Sequence, residues 1–169
     1  MNATVLRAVL DFRDPAPGPA WTSVDDRVMG GVSASQVETT PEGLVFRGVV
    51  SLEQKGGFAS IRAQPREYGL AGATAFLLHV QGDGQTYKFG IRTDDALGGV
   101  QYQARVATRA EEWLDVMLPI TDFQPTFRGR EMVDAPALDP TRIQTFGFLI
   151  ADRQAGPFRW VIASIRARF

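Results

Sequence analysis

Cysteine is absent from the 169-residue sequence, and histidine occurs only once, as His79. Without cysteine the chain has no disulfide, no thiol nucleophile and no thiolate metal ligand. A lone histidine cannot build a zinc site without carboxylate ligands. No run reaches the roughly 18 apolar residues of a membrane-spanning helix, and residues 1–14 carry charges where a signal peptide needs an apolar stretch. We therefore expect a cytoplasmic protein with no metal, no other cofactor and no membrane insertion.

An excess of charge of either sign is also missing. The sequence has 18 Lys+Arg against 19 Asp+Glu, a formal net charge of -1. A balanced chain has no overall field to attract nucleic acid or an anionic membrane, so a nucleic-acid ligand is not expected. With 44% hydrophobic residues the chain is long enough to bury a continuous core without cross-links. We expect one domain over residues 1–169.

Sustained helical periodicity is lacking, and the alternation typical of β-strands is present instead. In YKFGIRT (87–93) the apolar residues share one face, and Lys88 and Arg92 share the other. VQYQARV (100–106) repeats the pattern, with Gln103 on the polar face. The other candidate strands are 5–12, 32–39, 44–52, 58–64, 75–81, 112–120, 143–151 and 158–165.

Turn signals rich in Gly and Pro separate these segments. About ten short strands with such turns predict an all-β fold, a two-sheet antiparallel sandwich of jelly-roll type. A closed lipocalin-like barrel is the structural alternative. The connection 121–140 contains prolines and shows no strand pattern. Loops of this length are uncommon in compact domains and are often functional.

The stretch WTSVDDRVMGGVS (21–33) places Asp25 beside Asp26. Adjacent residues of an extended segment point to opposite sides, which is poor geometry for a glycosidase acid/base pair. A calcium site is an alternative, although the stretch lacks the dense DxDxDG ligand spacing. We favour a structural loop, in which an aspartate accepts amide hydrogen bonds and Gly30 and Gly31 adopt positive φ.

Arg62 lies in GGFASIR (56–62), where alternation places it on one face with Phe58 and Ser60. It is either a solvated strand arginine or the partner of Asp25 or Asp26. A planar guanidinium meets a carboxylate through two parallel hydrogen bonds. We expect such a pair, which would hold the 21–33 loop against the sheet.

Two further groups of polar residues have open interpretations. Lys88, Arg92, Gln101, Gln103 and Arg105 would form one patch if their strands pair, and the patch is either an ordinary solvated face or a sugar-binding surface. In the long connection, two arginines, one of them Arg128, lie beside two phenylalanines. Such a pattern can hold nucleotides, but two arginines are few, and a packed loop is the better interpretation.

Several blocks together resemble the complex I intermediate-associated protein 30 family: Trp21, DDRVMGGVSAS (25–35), FRGVVSL (46–52), GGFASIR (56–62), FQPTFRGR (123–130) and GPFRWVIASI (156–165). The resemblance implies a galactose-binding-like jelly roll and a non-enzymatic role, since the mitochondrial members are similar to assembly factors that hold intermediates of respiratory complex I. The residues that match the family motif are Trp21, Asp25, Asp26, Met29, Gly30, Gly31, Ser33, Gly56, Gly57, Phe58, Arg62, Arg128 and Gly129.

These observations predict a non-catalytic module that acts as a scaffold or chaperone for a protein complex. The candidate binding surface comprises Trp21, Asp25, Asp26, Arg27, Arg62, Arg92, Gln103 and Arg128. The structural loop residues are Met29, Gly30, Gly31, Ser33, Gly56, Gly57 and Phe58. The alternative is a carbohydrate-binding module, with or without a bound calcium ion, which predicts an exposed Trp or Tyr platform near Arg92 and Gln103.

Overall fold

The computed structural model describes residues 4–16, 18–25, 33–53, 57–94, 99–127 and 130–169. Strands account for most of this part of the chain, and the helical content is limited to short 3-10 turns such as Ile120–Asp122 and Pro140–Arg142. The strands are β1 (Leu6–Asp11), β2 (Trp21–Ser23), β3 (Ala34–Thr40), β4 (Gly43–Val50), β5 (Ala59–Ala63), β6 (Ala75–Gln81), β7 (Thr86–Thr93), β8 (Gln101–Ala107), β9 (Trp113–Pro119), β10 (Gln124–Phe127), β11 (Arg130–Glu131), β12 (Ile143–Ile150) and β13 (Gly156–Arg168).

The strands form two antiparallel sheets. The six-stranded sheet has the order β3-β4-β13-β6-β9, and β1 also pairs with β13. The seven-stranded sheet has the order β11-β10-β8-β7-β12-β5-β2. Neighbours in the sheets are mostly not neighbours in sequence, which is typical of a jelly roll rather than a meander. The predicted all-β, two-sheet antiparallel sandwich is therefore confirmed.

The core lies between the two sheets and is built by alternation along the strands. In β7, Tyr87, Phe89 and Ile91 are fully buried, whereas Lys88 and Arg92 lie on the other face. Rings from both sheets pack against one another in this layer, and Tyr87 stacks on Trp160 of β13 with centroids 4.6 Å apart. The polar residues of β7 therefore lie on the outward face of the seven-stranded sheet.

Each of the ten predicted strand segments contains a strand, and three strands were not predicted. β2 lies at the start of the 21–33 stretch, and β10 and β11 lie within 121–140, which was predicted to lack strands. These strands have two to four residues and are mostly polar or exposed, so they carry no alternation to detect. The 121–140 segment is packed as well as paired, because the Tyr102 hydroxyl donates to the Pro136 carbonyl at 2.8 Å.

No helix among the described residues is long and apolar enough to cross a membrane. The predicted single domain over residues 1–169 stays a prediction.

Candidate functional site

A groove runs along the outward face of the seven-stranded sheet and consists of two adjoining depressions. Each has a cavity volume of about 490 Å³, and both are lined by Lys88 and Gln103. The basic depression is lined by Arg62, Lys88, Arg92, Gln101, Gln103 and Phe127, among others. The mixed depression is lined by Lys88, Arg105, Asp122, Gln124, Glu131 and Asp152, among others.

Strand register brings the groove residues together in one row. Arg62 of β5 lies opposite Gly147 of β12, which lies opposite Gly90 of β7, and Gly90 lies opposite Gln103 of β8. Gly90 and Gly147 form a glycine floor in the middle of the row, where no side chain stands between the flanking residues. A glycine inside a strand often marks close approach of a ligand or another chain segment.

The side chain of Gln101 extends over the glycine floor. A Cβ atom built on Gly90 would collide with the Gln101 amide nitrogen, and one built on Gly147 would lie 3.7 Å from it. The amide group is held in place because Gln103 donates to the Gln101 side-chain oxygen at 2.9 Å. The Gln101 amide nitrogen is thus presented to the basic depression as a further hydrogen-bond donor.

Arg62 and Arg92 are half-buried cations on either side of β12. Burial lowers the pKa of the Arg62 guanidinium. Burial also lowers the pKa of Arg92, and the positive charge of Arg62 lowers it further. The Nε atom of Arg92 is buried, and none of the described residues is its hydrogen-bond partner. The described carboxylates include none that pairs with either arginine, whereas Asp152 accepts Lys88 at 3.4 Å and Arg105 at 3.5 Å.

Asp25 does not form the predicted ion pair with Arg62. Its carboxylate accepts hydrogen bonds from the amide of Ser35 at 2.9 Å, the hydroxyl of Ser35 at 2.6 Å and the amide of Ser60 at 3.1 Å. These three hydrogen bonds engage the Asp25 carboxylate, and the Arg62 side chain lies on the outward face of the sheet. Asp26, the other predicted partner, lies outside the described residues.

Trp21 was predicted for the binding surface, but it points away from the groove. In β2 it lies opposite the buried Ala63, and Thr22 lies opposite Arg62. The Trp21 ring stacks on Phe148 with centroids 5.4 Å apart. Alternation along β2 therefore places Trp21 against the core and Thr22 beside the groove.

The predicted structural-loop residues that the structure describes are Ser33, Gly57 and Phe58. Ser33 is fully buried, and its hydroxyl accepts from the Ser51 amide at 2.9 Å. Gly57 has a φ of +138°, a conformation that side chains rarely adopt, and Phe58 lines the basic depression. The predicted site residues that lie outside the described part of the chain are Asp26, Arg27, Met29, Gly30, Gly31, Gly56 and Arg128.

Three predicted surface residues, Arg62, Arg92 and Gln103, meet in the basic depression. Sequence reasoning did not single out Gly90 or Gly147 as part of the site. The available signal was a glycine at an outward position inside a strand, where a polar side chain is usual. No Trp or Tyr is among the described residues that line the basic depression, so the predicted aromatic platform near Arg92 and Gln103 is not found there.

Similarity to solved structures concerns the fold. A family 11 carbohydrate-binding module from a cellulosomal cellulase of Clostridium thermocellum matches with a TM-score of 0.69 and 15% sequence identity, covering 98% of this chain and 95% of that one. The same family in complex with a β-1,3-1,4-mixed-linked tetrasaccharide matches with a TM-score of 0.69 and 14% identity, covering 98% and 96%. This likeness agrees with a jelly roll.

Similarity in sequence identifies relatives. An uncharacterised protein of Schizosaccharomyces pombe is 30% identical over an alignment of 168 positions, which covers 87% of this chain and 77% of that protein. The mitochondrial complex I intermediate-associated protein 30 of Drosophila melanogaster is 25% identical over 173 residues, covering 89% of this chain but only 58% of the relative. The sequence profile described as complex I intermediate-associated protein 30 matches residues 10–162. The chain therefore belongs to the complex I intermediate-associated protein 30 family.

Proposed function

We propose that this chain is a non-catalytic module that binds a partner protein in the groove of the seven-stranded sheet, as a scaffold in the assembly of respiratory complex I. One observation carries the proposal. Val24 of the 21–33 stretch, Arg62 of β5 and Phe127 of the 121–140 connection all line the basic depression, so the segments that carry most of the candidate surface residues meet there. Family membership supports assembly as the purpose of binding. A cytoplasmic location is part of the proposal.

The chemistry of the basic depression suits binding better than catalysis. Its described lining consists of two arginines, a lysine, two amides, a serine and apolar residues. The Ser60 hydroxyl donates to the Val24 carbonyl, and Lys88 is paired with Asp152. These groups can position a ligand through hydrogen bonds and charge, but they do not supply a nucleophile activated by a neighbouring base.

A carbohydrate ligand is the second candidate. The fold is similar to carbohydrate-binding modules, and the planar polar side chains of Arg92, Gln101 and Gln103 resemble those that bind sugar hydroxyls. The aromatic side chains at this depression are Phe58 and Phe127 among the described residues, and neither offers the polar atom of Trp or Tyr. The protein ligand therefore remains the better-supported proposal.

The test blocks the groove without changing charge. Leu149 lies on the outward face of β12 and lines the basic depression, so Leu149→Trp would fill it. Leu77 is its matched control, because it is a half-buried leucine on β6 of the other sheet. Each purified variant is immobilised, incubated with a membrane extract of the source cell, and the retained complex I subunits are quantified by mass spectrometry. We expect Leu149→Trp to retain at least tenfold fewer subunits than wild type and Leu77→Trp to match wild type.

Two results would contradict the proposal. Equal retention by Leu149→Trp and wild type, with both folded by circular dichroism, would place the partner elsewhere on the surface. If wild type retains no complex I subunit but binds neutral oligosaccharides on a glycan array, the carbohydrate candidate replaces the protein ligand. Cell fractionation checks the location separately.

A further inference from the structure

We infer that the basic depression is an anion-binding subsite, in which Arg62, Arg92 and the Gln101 amide hold a carboxylate from an acidic segment of the partner protein. This inference rests on the proposed function and names the chemistry of the segment that the groove binds.

The first argument is the lack of charge compensation. Arg62 and Arg92 share one depression with Lys88, and none of the described residues lining it carries a carboxylate. Lys88 is neutralised from the adjoining depression by Asp152 at 3.4 Å. The two arginines therefore leave a local positive charge inside a protein whose overall net charge is -1.

A second pair of adjacent arginines in the same protein has its charge compensated by carboxylates. Arg47 and Arg159 lie directly opposite each other on the outward face of the six-stranded sheet. Glu38 accepts Arg47 at 3.5 Å, and Glu42 accepts Arg159 at 3.5 Å. Adjacent arginines on the other sheet thus have glutamate partners, whereas the pair in the groove has none among the described residues. Charge complementarity therefore favours an acidic ligand in the groove.

The second argument is an unused donor. The Nε atom of Arg92 is buried and has no hydrogen-bond partner in the part of the chain that the structure describes. Buried polar groups in proteins nearly always have a partner, so an exception calls for an explanation such as a missing ligand. Burial and the charge of Arg62 lower the pKa of Arg92, which is the environment that an anion would relieve. A carboxylate offers two acceptor oxygens that match a guanidinium.

The third argument is that the depression leaves room for a carboxylate beside the two arginines. Arg62 and Arg92 stand on strands that flank β12, about 10 Å apart by the usual strand spacing. Arg62 lies opposite Gly147 and Arg92 lies opposite Thr145 on β12, and Gly90 stands on the other side of Gly147, so two of the floor positions beside the arginines carry no side chain. The Gln101 amide nitrogen lies above this floor. Three donors therefore surround a gap that a carboxylate can enter.

The borders of the depression favour a peptide as the source of the carboxylate. Phe58, Phe127 and Leu149 line it together with the arginines, so apolar contacts are available on several sides of the charged centre. An acidic side chain flanked by apolar residues satisfies both features. An acidic sugar would supply the carboxylate with fewer apolar groups, and it is treated as an outcome of the test.

The probe is an array of overlapping 12-residue peptides that covers the complex I subunits of the source cell. A second array carries the same peptides with Asp and Glu replaced by Asn and Gln. The proteins are wild type, the Arg62→Gln/Arg92→Gln double variant, and the Arg47→Gln/Arg159→Gln double variant as matched control. The strongest peptide is then titrated by calorimetry at low and high salt, beside an oligogalacturonate and inorganic phosphate.

We expect wild type to bind acidic peptides and to lose at least tenfold in affinity for their amide counterparts. The Arg62→Gln/Arg92→Gln variant should lose a similar factor, and the Arg47→Gln/Arg159→Gln variant should stay within twofold of wild type. Added salt should weaken the acidic complex, because exposed charges are screened.

Equal binding of acidic and amide peptides, or no bound peptide at all, would overturn the inference. An equal loss in the Arg47→Gln/Arg159→Gln variant would show nonspecific attraction and would also overturn it. If oligogalacturonate or phosphate binds more tightly than the strongest acidic peptide, a peptide is not the ligand of this subsite. The capture assay separates the two proposals: if Leu149→Trp loses complex I subunits while Arg62→Gln/Arg92→Gln keeps them, the proposed function stands and this inference fails.

Discussion

The carboxylate of Asp25 accepts two hydrogen bonds from Ser35, one from its amide at 2.9 Å and one from its hydroxyl at 2.6 Å. Ser35 belongs to β3 of the six-stranded sheet. The same carboxylate accepts the amide of Ser60, which belongs to β5 of the seven-stranded sheet. One side chain from the segment after β2 therefore joins the edge strand β3 of one sheet to β5 of the other, beside the groove.

Asp25→Ala is expected to lower the free energy of unfolding by about 2 to 3 kcal/mol, because hydrogen bonds to a charged group contribute more than neutral ones and the amide donors lose their acceptor. Urea unfolding followed by circular dichroism measures the change. Asp134→Ala is the matched control, since Asp134 is exposed in a turn. An Asp25→Ala variant as stable as the control would show that the sheet edges do not depend on this carboxylate.

Arg92→Met is expected to raise the free energy of unfolding by about 1 kcal/mol. The substitution removes a buried donor without a partner and the repulsion from Arg62, while the methionine keeps an unbranched apolar stem. Arg47→Met is the control and should change stability by less than about 0.5 kcal/mol, because its ion pair with Glu38 is exposed. A destabilised Arg92→Met variant would mean that the arginine is compensated in the free protein.

Gly90→Ala and Gly48→Ala are expected to differ sharply in stability. The added methyl at Gly90 meets the end of the flexible Gln101 side chain, which can move away. The methyl at Gly48 meets the backbone of Ala34, which cannot move without opening the sheet. Gly48→Ala should lower the free energy of unfolding by about 3 kcal/mol, and Gly90→Ala should change it by less than about 1 kcal/mol.

Gly90→Ala should nevertheless weaken ligand binding, because moving Gln101 breaks its contact with Gln103 and takes a donor away from the floor. Calorimetry with the bound peptide measures this effect. Unchanged affinity in a folded Gly90→Ala variant would argue against a role for the Gln101 amide in the subsite.

The tyrosines should resist ionisation in the folded protein. Burial raises the pKa of Tyr68, Tyr87 and Tyr102, and the charge of Asp83 raises that of Tyr87 further. The unfolded chain ionises near pH 10, so above that pH the folded state binds more protons. The stability contributed by the protonated phenols is therefore full below about pH 10 and is lost as the pH rises beyond it.

Absorbance at 295 nm checks this expectation. At about pH 10.5 the folded protein should show little tyrosinate, whereas the chain in guanidinium chloride should show most of it, since its phenols have a pKa near 10. These are all the tyrosines of the chain, so the signal has no other tyrosine source. A folded protein that titrates like the unfolded one would contradict the burial of these hydroxyls.

Much of the sandwich could be predicted because its long strands alternate strongly. The pattern of Tyr87, Phe89 and Ile91 against Lys88 and Arg92 predicts both the strand and its buried face. β10 and β11 were not predicted because short, polar strands have little burial to impose alternation. β10 forms where β8 offers a partner, and β11 pairs with β10. Pairing partners are set by contacts far apart in the chain, which a local pattern does not contain.

The candidate site was predictable only in part. Alternation placed Arg62 and Gln103 outward, but it could not place them in one row across β12 and β7. The expected Arg62–Asp25 pair was wrong because Ser35 and Ser60 donate hydrogen bonds to the Asp25 carboxylate in place of Arg62. Ser35 belongs to the opposite sheet. Trp21 was assigned to the surface because its direction depends on the register of β2, which the sequence does not reveal.

By itself the sequence determined the class of fold, the buried face of strands such as β7 and β8, and the family, because these depend on local alternation, turn residues and motif order. Only the tertiary structure decided that Arg62 and Arg92 share a depression without a described carboxylate, that Gly147 and Gly90 lie between Arg62 and Gln103, and that Asp25 joins the two sheets. The physical reason is that hydrogen bonding, charge compensation and burial depend on residues that are distant in sequence. These contacts exist only after the strands have paired into sheets.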